Sequence, residues 1–182
     1  MTTTITQPQS VQWRALSADE LAASPDTKLG GVLAVMFWSA VAMVATAIIV
    51  VAGLIVFGDF FSVTMMSRML FSGSSLSSRI AGIQMIPQAM FAVFAFTFVV
   101  MTMGRRPSTP AAASVLMVMW AATSIAAQIG TRYLIAQSNF DPMSQLSLLP
   151  YVFLEVVLVA AFCGYMADGR RPNVYYLKRV RA

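Results

Sequence analysis

Glu155 is the one charged residue between Pro142 and Ala167, inside an otherwise apolar stretch. An ionised carboxylate at the middle of a bilayer costs at least about 2.5 kcal/mol, so it persists when paired, neutralised or useful. Counted along their own apolar runs, Gln84, Gln88 and Gln128 fall at a similar depth, and Arg132 ends the run that carries Gln128. We therefore expect an intramembrane polar cluster of Glu155, Gln88 and Gln128, with Arg132 able to reach inward. Two chemistries fit it. One is an interhelical hydrogen-bond network; the other is a proton or cation site. A single carboxylate without a second acid or a histidine makes a poor relay.

Other chemistries lack their residues. The chain contains no histidine, which excludes histidine-ligated haem or copper and any Ser-His or Cys-His nucleophile. With one cysteine, Cys163, neither an internal disulfide nor a thiolate zinc or iron–sulfur site can form within the chain. The methionines are scattered through apolar runs, as adaptable packing requires. No apolar run holds the two aspartates of an intramembrane protease, and no glycine-rich phosphate loop is present. No catalytic, cofactor-binding or metal-binding residue is expected, and enzymatic activity is not.

These residues must be positioned by elements that live in lipid. Only 10% of the 182 residues are charged, against about 25% in a soluble domain, so the chain cannot cover itself with polar surface. Four runs are long enough to cross a bilayer as helices: about 30–58, 80–104, 108–131 and 146–167. The expected fold is all-α, a four-transmembrane-helix bundle made of two helical hairpins. Residues 1–28 are expected as a cytoplasmic N-terminal segment, 29–168 as the membrane domain and 169–182 as a cytoplasmic basic tail. Because the first 28 residues are polar and carry no apolar core, the first span is expected to act as its own insertion signal.

Local signals refine the picture. Ser17 with Glu20 three residues on reads as a capping box. Its short helical turn would lay Trp13 and Leu16 at the interface, or else belong to a solvated tail. Residues 60–71, FFSVTMMSRMLF, are expected as an amphipathic interfacial helix with Arg68 toward headgroups, and GSSLSS after them as a flexible joint. Phe91, Phe94 and Phe98 share one helical face. Ala122, Ala126 and Gly130, at four-residue intervals, are expected to pack the third span at the centre of the bundle. Asp141-Pro142 reads as a helix start, which would put Pro150 two turns inside, where it bends a helix.

The tetrapeptide Gly-Arg-Arg-Pro closes two of the apolar runs, at 104–107 and 169–172, and Pro87 and Pro150 stand near the opposite ends of those runs. Both segments would then run in the same sense. With the N-terminus cytoplasmic, Arg14, Lys28, Arg105, Arg106, Arg170, Arg171, Lys178, Arg179 and Arg181 lie inside, and Arg68, Arg79 and Arg132 outside. That asymmetry obeys the positive-inside rule. Arg105, Arg106, Arg170 and Arg171, with Tyr175, Tyr176, Lys178, Arg179 and Arg181 of the tail, are expected to contact anionic lipid headgroups or a partner. A nucleic-acid partner is not expected, since the net charge of +5 gathers at span ends.

Leu29-Gly30-Gly31, Pro150-Tyr151 and the tail Tyr175-Tyr176-Leu177-Lys178-Arg179-Val180-Arg181 together resemble a family of small, uncharacterised bacterial inner-membrane proteins, a domain-of-unknown-function family. The resemblance, over residues 28 to 181, implies four spans in a bacterial inner membrane and brings no activity. Three functional readings stand open. One is an accessory, stabilising or assembly subunit of a larger membrane complex. Another is a small oligomeric transporter or channel using Glu155. The last is a lipid-binding envelope protein.

Overall fold

The structure, a computed structural model, describes residues 12–57, 75–136 and 142–181. The interfacial helix expected over 60–71 lies outside the described residues. Four long helices dominate: α2 (Gly31–Phe57), α3 (Leu76–Met103), α4 (Thr109–Ala136) and α5 (Leu149–Asp168). All four are long and apolar enough to span a membrane. The chain is a multi-pass membrane protein, all-α among the described residues apart from one small two-stranded sheet.

Helix ends follow local chemistry. Ser75 caps α3 by accepting a hydrogen bond from the Ser78 backbone amide at 3.3 Å. The last four residues of GSSLSS, Ser75 to Ser78, are thus the cap and first turn of α3 and not a joint, serine being a favoured N-cap. Pro150 falls in the first turn of α5, behind a 3-10 turn over Pro142–Leu148. A proline there removes an amide that has no helical partner anyway, so it starts the helix instead of bending it. Pro87 differs, lying buried inside α3. The two prolines that align in sequence therefore play unlike parts.

Packing follows chain order. The most extensive contact is α3 on α4, with α2 laid on α3 and α5 on α4; α2 and α5 are not a packed pair. The apolar core gathers Leu33, Phe37, Phe94, Phe98, Phe162 and Met166 near one end of the bundle. Among the described residues, α2 has no buried side chain beyond Ala40. The phenylalanine stripe belongs to this core. Phe94 and Phe98 stack at 5.9 Å, and Phe162 of α5 meets both edge-on, at 5.6 and 6.3 Å. Such ring pairs add about 0.5–1.5 kcal/mol each beyond area burial.

At that tight end a cap closes the bundle. It comprises β1 (Trp13–Ala15), α1 (Ala18–Ala23), a 3-10 turn (Pro25–Thr27), α6 (Arg170–Leu177) and β2 (Arg179–Arg181). Strands β1 and β2 pair antiparallel, with Trp13 opposite Arg181 and Ala15 opposite Arg179. The N-terminal segment and the tail, expected as separate appendages, are one unit.

Candidate functional site

Inside the bundle, α4 presents Ser124 and Gln128 one turn apart, on the side that meets Glu155 of α5. Glu155 Oε1 accepts from Ser124 Oγ at 2.9 Å and from Gln128 Nε2 at 2.8 Å. Gln128 Nε2 also donates to Ser124 Oγ at 3.3 Å. The other oxygen, Glu155 Oε2, is buried with no hydrogen-bond partner. Glu155 and Gln128 do come together, while the other two expected members do not join them. Gln88 is exposed and lines an adjoining cavity of about 580 Å3 with Thr46, Gln84, Phe91 and Ser124. Gln84 donates across to Thr131 Oγ1 at 2.8 Å. Arg132 Nη1 donates to Ser147 Oγ at 2.6 Å, tying the end of α4 to the turn before α5. Ser124 escaped the sequence reading, although its place four residues before Gln128 puts both on one helix face.

Chemically, this arrangement is an interhelical clasp with one acceptor left over. It can hold a proton, or a donor that reaches Oε2. Among the described residues no group of three or more acidic, cysteine or histidine side chains is placed to hold a metal ion.

The cap is built from charge pairs. Asp26, mostly buried, takes Arg170 at 3.0 Å and Arg171 at 2.9 Å on its two oxygens. Arg171 reaches it across Gly30 and Gly31, donating also to the Lys28 carbonyl at 3.3 Å. A Cβ on Gly30 would stand 2.5 Å from Arg171 Nη1, and Gly31 has φ of +56°. The double glycine thus serves close approach and a left-handed entry into α2. Arg179 and Arg181 lie over the Trp13 ring at 4.5 and 5.8 Å, and Arg181 also pairs with Asp168 at 3.2 Å. Across the cap, Arg14 meets Glu20 at 2.8 Å. The Arg14 side chain and the Ser17 amide hold the Glu20 carboxyl down at about 2.

The two Gly-Arg-Arg-Pro copies sit at the same end but differ in form. In the first, Gly104 caps α3 and Arg105 turns left-handed at φ of +46°, its guanidinium 5.1 Å over the Tyr175 ring. In the second, Gly169 precedes a new helix, and Arg170 and Arg171 bind Asp26. Arg106 and Lys178 remain exposed.

Tyr175 and Tyr176 require a correction: both are buried, not presented to headgroups or a partner. Tyr176 shares a 2.8 Å hydrogen bond with Thr102 Oγ1 at the end of α3, and Tyr175 donates to the Thr102 carbonyl at 3.4 Å. Asn173, fully buried, donates to the Ala167 and Gly169 carbonyls at 2.8 and 2.9 Å and accepts from Arg179 at 2.9 Å. Thr102 and Asn173 gave no sequence signal, since a single threonine or asparagine beside a span is unexceptional.

The small-residue stripe also sits differently from expectation. Ala122 and Ala126 are exposed, and Gly130 rests on Ile83 at 3.7 Å from its Cβ position. Ala113, Ala121 and Ala127 are the buried alanines of α4. Of the three, Gly130 alone packs inward, on α3, while Ala122 and Ala126 look out of the bundle and do not place α4 at its centre.

Compared with family models, curated proteins and solved structures, the chain matches none.

Proposed function

We propose that this protein is a non-enzymatic accessory, stabilising or assembly subunit of a larger membrane complex; the resemblance adds only the compartment, a bacterial inner membrane. The observation that carries the reading is the outward face of α4. Ala122 and Ala126 are exposed there beside Val115, Val118, Met119 and Ile129. Small residues in lipid favour close approach by another helix, a use this chain itself does not make of them. Both termini are assigned to the cytoplasm. The grouping of Arg14, Lys28, Arg105, Arg106 and the tail arginines at the capped end supports that orientation.

The test is purification in mild detergent from native membranes, with Ala126→Leu alongside. The wild type should bring a stoichiometric partner, and Ala126→Leu should lose it while keeping its own thermal stability. Ala127→Leu, by contrast, overpacks a buried site and should cost about 1–3 kcal/mol of stability. A wild type that runs alone, or a partner that survives Ala126→Leu, refutes the reading.

A transporter or channel is the second reading, favoured by the unpartnered Glu155 Oε2. Glu155→Gln should then abolish flux in reconstituted vesicles; equal flux in both proteins counts against it.

A further inference from the structure

Between α2 and α5 the bundle is open, and a groove of about 570 Å3 runs down the gap. Its walls include Val32, Met43, Leu158 and Tyr165, and its floor is Phe94 and Trp120. From Val32 to Met43 it follows α2 for about 16 Å of depth. No charged side chain lines it, and only Ser39 and Tyr165 bring hydroxyls to its walls. A hydrocarbon chain, roughly 4–5 Å wide at van der Waals contact, fits.

The groove begins under charge. Tyr165 lies against the backbone of Leu33, within electrostatic reach of Arg171 and Asp26. Arg171 packs on Gly30 and Gly31, next to Val32, and hydrogen-bonds the Lys28 carbonyl. Beside this mouth Arg170 and Arg171 share Asp26, and Arg170 also lines a neighbouring cavity with Glu20 and Asp168. The Arg170 side chain is 76% exposed despite its pairing. Lys28 is exposed and takes part in no ion pair among the described residues.

We propose that the α2–α5 groove is a binding site for one anionic phospholipid, its acyl chain against Phe94 and Trp120 and its phosphate at Lys28 and Arg170. Apolar wall and basic mouth are in series along the membrane normal, as the two halves of such a lipid are. A neutral chain would satisfy the wall alone. The site is independent of the accessory-subunit reading, because the outward face of α4 lines no part of it.

Trp120 is the reporter. In Trp13→Phe/Trp38→Phe protein, its fluorescence is read in phosphatidylcholine vesicles carrying a minority of dibrominated phosphatidylglycerol, or the same fraction of dibrominated phosphatidylcholine. The anionic quencher should act more strongly. Lys28→Gln and Arg170→Gln should each reduce its advantage by about five-fold, the weight of one surface cation on an anionic lipid. Ala161→Phe, a change at an exposed groove wall, should weaken quenching by both lipids. Equal quenching by the two lipids in the parent overturns the site, as does an anionic advantage that survives Lys28→Gln/Arg170→Gln.

Discussion

Tyr176 shows how one hydroxyl can join distant parts of a chain. Its bond to Thr102 links the surface helix α6 to the last turn of α3. Tyr176→Phe leaves the Thr102 hydroxyl buried without its partner and should cost about 1–2 kcal/mol in detergent unfolding. The double variant Thr102→Val/Tyr176→Phe should lie closer to wild type than the single variants suggest, because both polar groups then leave together. The same burial pushes the Tyr176 hydroxyl up to about 12, above about 10 for a tyrosine in an unfolded chain. The folded state favours the neutral phenol. Its contribution is therefore whole below pH about 10 and lost as pH climbs through about 12. An ultraviolet titration should find this tyrosine ionising late, together with release of α6. Early ionisation alongside exposed tyrosines would contradict its placement.

Among the elements, the cap is the unit that sequence order hides. Helix α6 is eight residues long, too short to hold in water by propensity alone. It persists because Asp26, Thr102 and the buried Asn173 network fix it from three sides. Asp26→Asn removes the counter-charge from both Arg170 and Arg171. A value between exposed and buried pairs, about 1–2 kcal/mol, is expected, since Arg170 remains largely solvated. Trypsin should then cut between Arg170 and Arg181 several times faster than in wild type; unchanged protection would show that the aromatic contacts alone hold the tail. The Glu20 carboxyl, held at about 2 by Arg14, carries the opposite sign. Its pairing is complete above the usual carboxylate range and fades only as pH falls through about 2, so mild acid should leave α1 in place.

Seen whole, the molecule gathers its core at its capped end, and the α2–α5 groove runs from that end alongside the core. Cysteines placed at 15, 106 and 181 in a Cys163→Ala background should all react with an impermeant reagent from one side. A cysteine at 143 should react from the other; labelling of 15 and 181 from opposite sides would break the cap. The four spans, their helical form and the shared end of the two Gly-Arg-Arg-Pro motifs were legible from the residues, because lipid imposes its demands one segment at a time. Any run of apolar residues that long must satisfy its own backbone wherever it lies. Pairing of Glu155 with Gln128 was legible for the same reason, as both carried a depth. Which face of α4 turns inward, whether Tyr175 and Tyr176 are covered, and that Asp26 holds Arg170 and Arg171 were decided in three dimensions. Rotation of a helix about its axis and contact between chain ends some 145 residues apart depend on neighbours, and no local pattern carries the neighbour's position.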